Sequence, residues 1–168
     1  MTQTRYIKVV SDLRWKYDLF IVDQWGVLHD GANAHHGAVD AMASIKSAGK
    51  KIILVSNSSR RVLDSADGLK KFGITPDLYD HILTSGELAW KAIKNQTDPF
   101  YQQLGKKCFI IGNDQREDFL DGLGLYPVKC IKSADFLLVG DLPVGPIEQL
   151  TQVLVDARAC NLTMVILN

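Results

Sequence analysis

The stretch that decides the fold of this chain runs from Asp18 to Gly31 and reads DLFIVDQWGVLHDG. Leu19 to Val22 form a short, continuous apolar run, which is typical of a strand buried on both faces. The run ends on a carboxylate, Asp23, and Gly26 marks a turn after the strand. In an open α/β sheet, ligands bind outside the carboxyl ends of the strands, so a reactive acid suits this position. The alternative is that Asp23 only caps the following turn.

A second apolar run, Ile52 to Val55, follows a segment with helical spacing and ends on Ser56, Asn57 and Ser58. Another segment with helical spacing comes next. The order strand, helix, strand, helix predicts a parallel βαβ unit. The ends of the two strands then lie side by side, so that Ser56 can face Asp23. Hydroxyl groups and N–H groups at a helix start suit an anion. The alternative is that these three residues only cap the helix.

The second half of the chain repeats the alternation of strands and helices after a turn at Pro76. A helix is expected from Thr84 or Ser85 onward. Strands are expected at 108–111, 135–139 and 162–167, with helices at 118–123 and 147–159. The sequence therefore predicts an α/β protein with a Rossmann-like parallel sheet in residues 1–80 and a second α/β unit in residues 81–168. Gly112 lacks the spaced glycines of a dinucleotide fingerprint, which argues against NAD binding.

The composition is that of an ordinary soluble globular protein, with 46% apolar and 23% charged residues among 168. Its 19 basic residues balance its 19 acidic ones, so no nucleic-acid partner is expected. The three scattered cysteines indicate a reducing compartment and argue against disulfides and zinc. The sequence shows neither a signal peptide nor a run of membrane-spanning length, so we expect a cytoplasmic protein without a membrane partner.

The segment from Val22 to Leu28 resembles motif I of the haloacid dehalogenase (HAD) superfamily, hydrophobic-D-x-D-G-T/V-L. Gly31, Gly37-Ala38 and Lys51 to Ser58 are similar to the class IIA branch, which contains NagD-like and p-nitrophenyl-phosphatase-like enzymes. The resemblance implies that residues 1–80 are the N-terminal part of a HAD core and residues 81–168 an inserted, incomplete α/β cap. No residue matches the motif III lysine or the motif IV acidic pair. We therefore expect a fragment of a longer protein or a truncated one.

The resemblance also implies roles for the residues at the strand ends. Asp23 would attack phosphorus and form an aspartyl-phosphate. Mg²⁺ would bind the Asp23 carboxylate and the main-chain carbonyl of Trp25. Ser56, with Asn57 and Ser58, would bind the phosphoryl group. Trp25 replaces the second aspartate of motif I, which is the general acid and base, and an indole cannot shuttle a proton. Losing such a group costs on the order of 10²–10⁴ in rate.

These observations favour a magnesium-dependent phosphatase that acts on a small phosphorylated metabolite and is weakened by Trp25. The 168-residue chain alone is expected to be inactive. A catalytically silent HAD-like module for binding or interaction is the alternative. In a third interpretation, a flavodoxin-like or receiver-like domain, Asp23 is simply a strand-end acid. A half-built core also predicts exposed apolar surface and self-association, which makes a homo-oligomer possible.

Overall fold

The structure, a computed structural model, describes residue 7 and residues 9–96, 98–112, 119–140 and 147–167. The chain divides into two compact units. The first comprises Met1–Ser56 and Val62–Thr84, and the second comprises Asn57–Arg61 and Ser85–Asn168. Each unit contains one parallel sheet with helices between its strands, which confirms the predicted α/β class. None of the described helices is both long enough and apolar enough to cross a membrane.

The first unit has a three-stranded parallel sheet in the order β1-β2-β3. Ile52 and Leu54 of the central strand are fully buried, as expected for a parallel strand covered on both sides. In chain order the elements are a 3₁₀-helix (Val10–Trp15), β1 (Leu19–Asp23), α1 (Ala38–Ser47), β2 (Lys51–Ser56), α2 (Val62–Lys70), a 3₁₀-turn (Pro76–Leu78) and β3 (His81–Thr84).

Strand β1 departs from the prediction that it is buried on both faces. Phe20 packs in a core with Met42 and Ile45 of α1. Leu19 and Ile21, which alternate with it, are 46% and 66% exposed. The strand lies at one end of the described sheet, and only every second side chain of a strand points toward a given face. The apolar run therefore predicted the position of the strand correctly, but the prediction that both of its faces are buried was wrong.

The boundary predicted at residue 81 is also wrong by one strand. β3 (His81–Thr84) pairs with β2, with His81 in register with Ile53 and Thr84 with Ser56. Ile82 and Thr84 are buried in the first unit, while His81 and Leu83, which alternate with them, are exposed. The sequence pattern predicted no strand here, because four residues are too short to show a clear period. The second unit instead begins its continuous part at Ser85 and also takes the segment Asn57–Arg61.

The second unit has a four-stranded parallel sheet in the order β5-β4-β6-β7. All four residues of β6 are buried. Of the predicted helix at 118–123, residue 118 lies outside the described residues, residues 119–120 are in a 3₁₀-helical conformation and residues 121–124 form turns. The elements are α3 (Ser85–Asn95), α4 (Pro99–Gln102), β4 (Lys107–Ile111), β5 (Tyr126–Pro127), a 3₁₀-turn (Ile131–Ser133), β6 (Phe136–Val139), α5 (Ile147–Ala159) and β7 (Thr163–Ile166).

An aspartate immediately before a strand extends the hydrogen-bond ladder in the first unit. The amide of Asp80 donates to the carbonyl of Ile52 at 2.8 Å, and its carboxylate accepts from the amide of Ile52 at 2.7 Å. The ammonium of Lys46 donates to the same carboxylate at 2.8 Å. The hydrogen bonds from Lys46 and from the Ile52 amide lower the pKa of Asp80 below its ordinary value of 3.8. The ionised carboxylate therefore stabilises the folded unit.

We expect Asp80→Asn to lower the melting temperature at neutral pH, because the amide loses the ion pair with Lys46. A pKa that is lowered by folding contributes stability above its unfolded value, and this contribution is lost as the pH falls through the folded value. The difference between wild type and variant should therefore shrink below pH 3.8. Thermal unfolding followed by circular dichroism over a pH series measures it. Asp67→Asn, which breaks only the exposed pair with Lys70, is the control and should have a smaller effect.

Candidate active site

Asp23 is the last residue of β1 and is exposed at the carboxyl edge of the sheet. One of its carboxylate oxygens accepts a hydrogen bond from the amide of Gln24 at 2.8 Å. This bond orients the carboxylate and leaves its second oxygen to meet a ligand. The position agrees with the rule that ligands bind beyond the carboxyl ends of parallel strands.

Gln24 organises the turn that follows, a role that the sequence did not reveal. Its carbonyl accepts hydrogen bonds from the amides of Leu28 at 2.8 Å and of His29 at 3.3 Å. Its buried side chain accepts from the hydroxyl of Ser65 on α2 at 3.1 Å. Gly26 supplies the left-handed conformation of this turn, with φ at 77°. The chain is thereby reversed immediately after Asp23.

The backbone of Trp25 forms an isolated bridge with His29. The bridge uses the groups on either side of Trp25: the Gln24 carbonyl accepts from the His29 amide, and the Gly26 amide donates to the His29 carbonyl at 2.8 Å. Neither bond uses the carbonyl of Trp25. This oxygen therefore remains a candidate metal ligand, whereas the indole, 66% exposed, offers no group that can exchange a proton.

His29 is a further residue of this turn that the sequence did not single out. It is buried and stacks on Phe72, with ring centroids 4.4 Å apart and planes at 15°. Its Nδ1 accepts a hydrogen bond from the amide of Gly31 at 3.1 Å, which requires this nitrogen to be unprotonated. Burial lowers the pKa of His29 below 6.5, against an opposing effect of Asp30. The imidazole is therefore neutral at neutral pH.

Strands β1 and β2 end side by side, as the order of the elements predicts. Asp23 is in register with Val55, and Ser56 is the next residue of β2. Because side chains alternate along a strand, those of Asp23 and Val55 leave the sheet on one face and that of Ser56 on the other. Asp23 and Ser56 thus share an edge of the sheet rather than a face. Their convergence on one phosphoryl group stays a prediction, and it requires both side chains to reach beyond the strand ends.

Asn57 and Ser58, the other predicted phosphate ligands, belong to the second unit and have partners there. The amide oxygen of Asn57 accepts from the hydroxyl of Ser85 at 3.1 Å. The carbonyl of Ser58 accepts from the amide of Gly86 at 3.0 Å, and its hydroxyl accepts from the amide of Arg60 at 3.2 Å. These bonds give both residues a structural role in the turn. Their binding of phosphate stays a prediction.

The same segment is fastened to α3 by Arg61. Its Nε donates to the carboxylate of Glu87 at 2.6 Å, and its guanidinium lies 3.8 Å from the ring centroid of Trp90. The backbone approaches α3 equally closely, since a Cβ on Gly86 would lie 2.0 Å from the carbonyl oxygen of Ser59. The conformation of Asn57–Arg61 is therefore set by the first turns of α3.

Two of the predicted residues offer oxygen atoms to a hard cation, the carboxylate of Asp23 and the carbonyl of Trp25. Among the described residues, no group of three or more His, Cys, Asp or Glu side chains could hold a metal ion. Mg²⁺ keeps several waters and is commonly bound through one or two carboxylates. A carboxylate together with a carbonyl that no turn bond uses is consistent with part of such a site.

We expect Glu87→Ala to destabilise the second unit by about 2 kcal/mol, because it leaves the Arg61 guanidinium without its charged acceptor. Lys91→Ala is the matched control. It removes the exposed partner on the same carboxylate, 3.5 Å away, and should change stability by less than about 0.5 kcal/mol. Urea unfolding followed by circular dichroism measures both. Equal effects of the two substitutions would show that Arg61 does not fasten the segment.

Known proteins similar to this chain agree on its family. A family model described as haloacid dehalogenase-like hydrolase matches residues 20–126. A 4-nitrophenylphosphatase of Schizosaccharomyces pombe is 32% identical over 114 residues, which are 66% of this chain and 36% of that protein. The chain therefore spans only about a third of this curated relative.

Solved structures show the same fold. A haloacid dehalogenase-like hydrolase from Brucella suis superposes with a TM-score of 0.82 at 27% identity, over 96% of this chain and 60% of that one. A glycerol phosphate phosphatase from Mycobacterium tuberculosis in complex with magnesium gives a TM-score of 0.63 at 23% identity, over 93% of this chain and 45% of that one. With the match to residues 20–126 and the motif that ends β1, these likenesses place the chain in the haloacid dehalogenase-like hydrolase family, in its class IIA branch.

Proposed function

We propose that this chain is the nucleophile-bearing part of a magnesium-dependent phosphatase that acts on a small phosphorylated metabolite. The observation that carries the proposal is Asp23, an exposed carboxylate at the carboxyl edge of a parallel sheet, oriented by the amide of Gln24 at 2.8 Å. Membership of a hydrolase family and similarity to a 4-nitrophenylphosphatase support it. In this proposal, the first unit belongs to the HAD core and the residues from Ser85 onward belong to its cap.

The proposed reaction has two displacements at phosphorus. The Asp23 oxygen that does not accept the Gln24 hydrogen bond attacks phosphorus. A bond forms between this oxygen and phosphorus, the bond to the leaving oxygen breaks, and the electron pair departs with the leaving group. Water then attacks the phosphorus of the aspartyl-phosphate. Inorganic phosphate is released, the carboxylate of Asp23 is regenerated, and the proton of the attacking water passes to the products or the solvent.

The remaining site residues have proposed binding roles. Mg²⁺ would supply positive charge to the transferring phosphoryl group. Asp23 and the carbonyl of Trp25 are its proposed protein ligands, in keeping with its preference for oxygen. Ser56 is the proposed ligand of a phosphoryl oxygen, because it ends the strand next to that of Asp23. Asn57 and Ser58 would assist it, within a segment that α3 holds in place.

Trp25 restricts the substrates of this phosphatase. An indole cannot protonate a leaving oxygen. His29 does not replace the missing acid in the proposal, because the neutral imidazole is buried and its Nδ1 already accepts from the amide of Gly31. Esters whose leaving groups depart as stable anions should therefore react, and esters that release alkoxides should react far more slowly. The same substitution favours the second candidate function, a catalytically silent module that binds a phosphorylated ligand or a partner.

We expect the longest natural form of this polypeptide to hydrolyse p-nitrophenyl phosphate in the presence of Mg²⁺ and to hydrolyse alkyl phosphates such as glycerol phosphate far more slowly. Asp23→Asn should abolish both activities, because an amide is a poor nucleophile and a poor ligand for magnesium. Asp30→Asn is the control. It removes a charge from the same turn while an asparagine can still accept the bonds from the amides of Ala32 and Asn33, and it should retain activity. Activity that survives in Asp23→Asn would exclude the proposed nucleophile.

Trp25→Asp restores an acidic side chain at the position of the missing acid. Because the indole is largely exposed, its removal leaves no cavity in the core. We expect the rate on glycerol phosphate to rise about 10²-fold relative to the rate on p-nitrophenyl phosphate. This is the lower end of the roughly 10²–10⁴-fold that a positioned general acid contributes. Steady-state kinetics on both esters measure this ratio. An unchanged ratio would show that another residue supplies the proton, and no hydrolysis by wild type would favour the silent module.

A further inference from the structure

We propose that the indole of Trp25 is a stacking platform for the aromatic ring of the substrate, which makes the substrate an aryl or heteroaryl phosphate ester. This inference rests on the proposed phosphatase function and names its substrate class. It follows from the contacts that position the indole and from the absence of a general acid at residue 25.

The indole is exposed and nevertheless packed against the backbone. A Cβ built on Gly31 would lie 2.3 Å from Cη2 and 2.4 Å from Cζ3 of Trp25, so the ring occupies the space that a side chain at residue 31 would need. Gly31 has φ at 93°, a conformation that other residues rarely adopt. Glycine at this position therefore lets the ring lie against the turn.

A buried aromatic pair supports the indole from the side. The rings of Trp25 and His29 meet edge to face, with centroids 5.8 Å apart and planes at 83°. His29 in turn stacks on Phe72 at 4.4 Å, and its Nδ1 accepts from the amide of Gly31. Three rings and one glycine thus form a continuous assembly. The Trp25 side chain is nevertheless 66% exposed to solvent.

The same turn carries the nucleophile. Trp25 is two residues after Asp23, so their Cα atoms are no more than about 7 Å apart. The bridge to His29 fixes the backbone of Trp25 relative to the end of β1. A ring joined to phosphorus through one oxygen atom lies within reach of an aromatic side chain at this separation. The indole is therefore placed to contact the leaving group of an ester that Asp23 attacks.

The chemistry of the leaving group points to the same class of substrate. Without an acid at residue 25, the leaving group must depart as a stable anion. Aryloxides, carboxylates and phosphates all do so, but of these only an aryloxide always has its leaving oxygen bonded directly to an aromatic ring. In the reaction the bond from the Asp23 oxygen to phosphorus forms, and the bond from phosphorus to the aryl oxygen breaks. The electron pair leaves on the aryloxide, which later takes a proton from water.

The test uses the longest natural form of this polypeptide and compares two substrates that need no acid, p-nitrophenyl phosphate and acetyl phosphate, of which only the first can stack. Trp25→Leu should lower kcat/KM for p-nitrophenyl phosphate about three- to tenfold relative to kcat/KM for acetyl phosphate, mainly through KM. Trp25→Phe should retain most of the aryl activity. Trp15→Leu is the matched control. It removes another exposed indole of the first unit, 75% exposed and located before β1, and should change neither substrate.

Gly31→Ala displaces the indole without changing residue 25. It should cause the same selective loss on p-nitrophenyl phosphate, and the double variant with Trp25→Leu should lose no more than Trp25→Leu alone. Additive losses would show that Gly31 acts independently of the ring. Equal losses of kcat/KM for p-nitrophenyl phosphate and acetyl phosphate in Trp25→Leu would contradict the stacking role. An indole that only stabilises the turn would affect both substrates alike.

Direct binding separates this inference from the proposed function. By titration calorimetry, wild type should bind phenylphosphonate more tightly than methylphosphonate, and Trp25→Leu should remove this preference. If neither ester is hydrolysed, the phosphatase proposal fails, while a preference that disappears in Trp25→Leu still supports the platform. A preference for the phenyl compound that persists in Trp25→Leu overturns the platform even where hydrolysis is observed.

Discussion

The carbonyl of Gln24 is the hydrogen-bond acceptor on which the arrangement of the candidate site depends. By accepting from the amides of Leu28 and His29, it reverses the chain immediately after Asp23. The reversal is held by apolar burial, because Leu28 lies in the core of the first unit. The proposed nucleophile is therefore the last residue of a strand, and the indole, the candidate metal-binding carbonyl and the buried imidazole all belong to one turn.

The sequence predicted five of the seven described strands, because strands of a parallel sheet are often continuous apolar runs. It predicted their surroundings less well, because burial depends on what packs against a strand. Ile21 is exposed although its run is as apolar as that of β2. β3 was assigned to the wrong unit for a related reason: four residues with alternating burial carry little information about the sheet that they join.

The position of Asp23 could be predicted because the end of a strand and the edge of a sheet follow from local sequence. The contacts of His29 could not, since its stacking partner Phe72 follows α2, far along the chain. The same holds for Asn57 and Ser58, whose bonds to the start of α3 depend on tertiary packing. The face on which each side chain leaves the strand ends could not be predicted either. It depends on the register of the two strands, and a difference of one residue in register reverses the face.

In the proposed phosphatase, Trp25 would select among substrates rather than accelerate the chemical step. A general acid lowers the barrier only where charge develops on the leaving oxygen, so its loss matters most for alkoxides and least for anions that are already stable. Stacking on an indole is present in the bound ester and in the transition state alike, and such uniform binding lowers KM without raising kcat. The aromatic side chain cannot protonate the leaving oxygen of an alkyl ester. If the proposed function holds, exchanging a carboxylate for an indole at this position narrows the substrates of the phosphatase to esters whose leaving groups need no acid and present a ring.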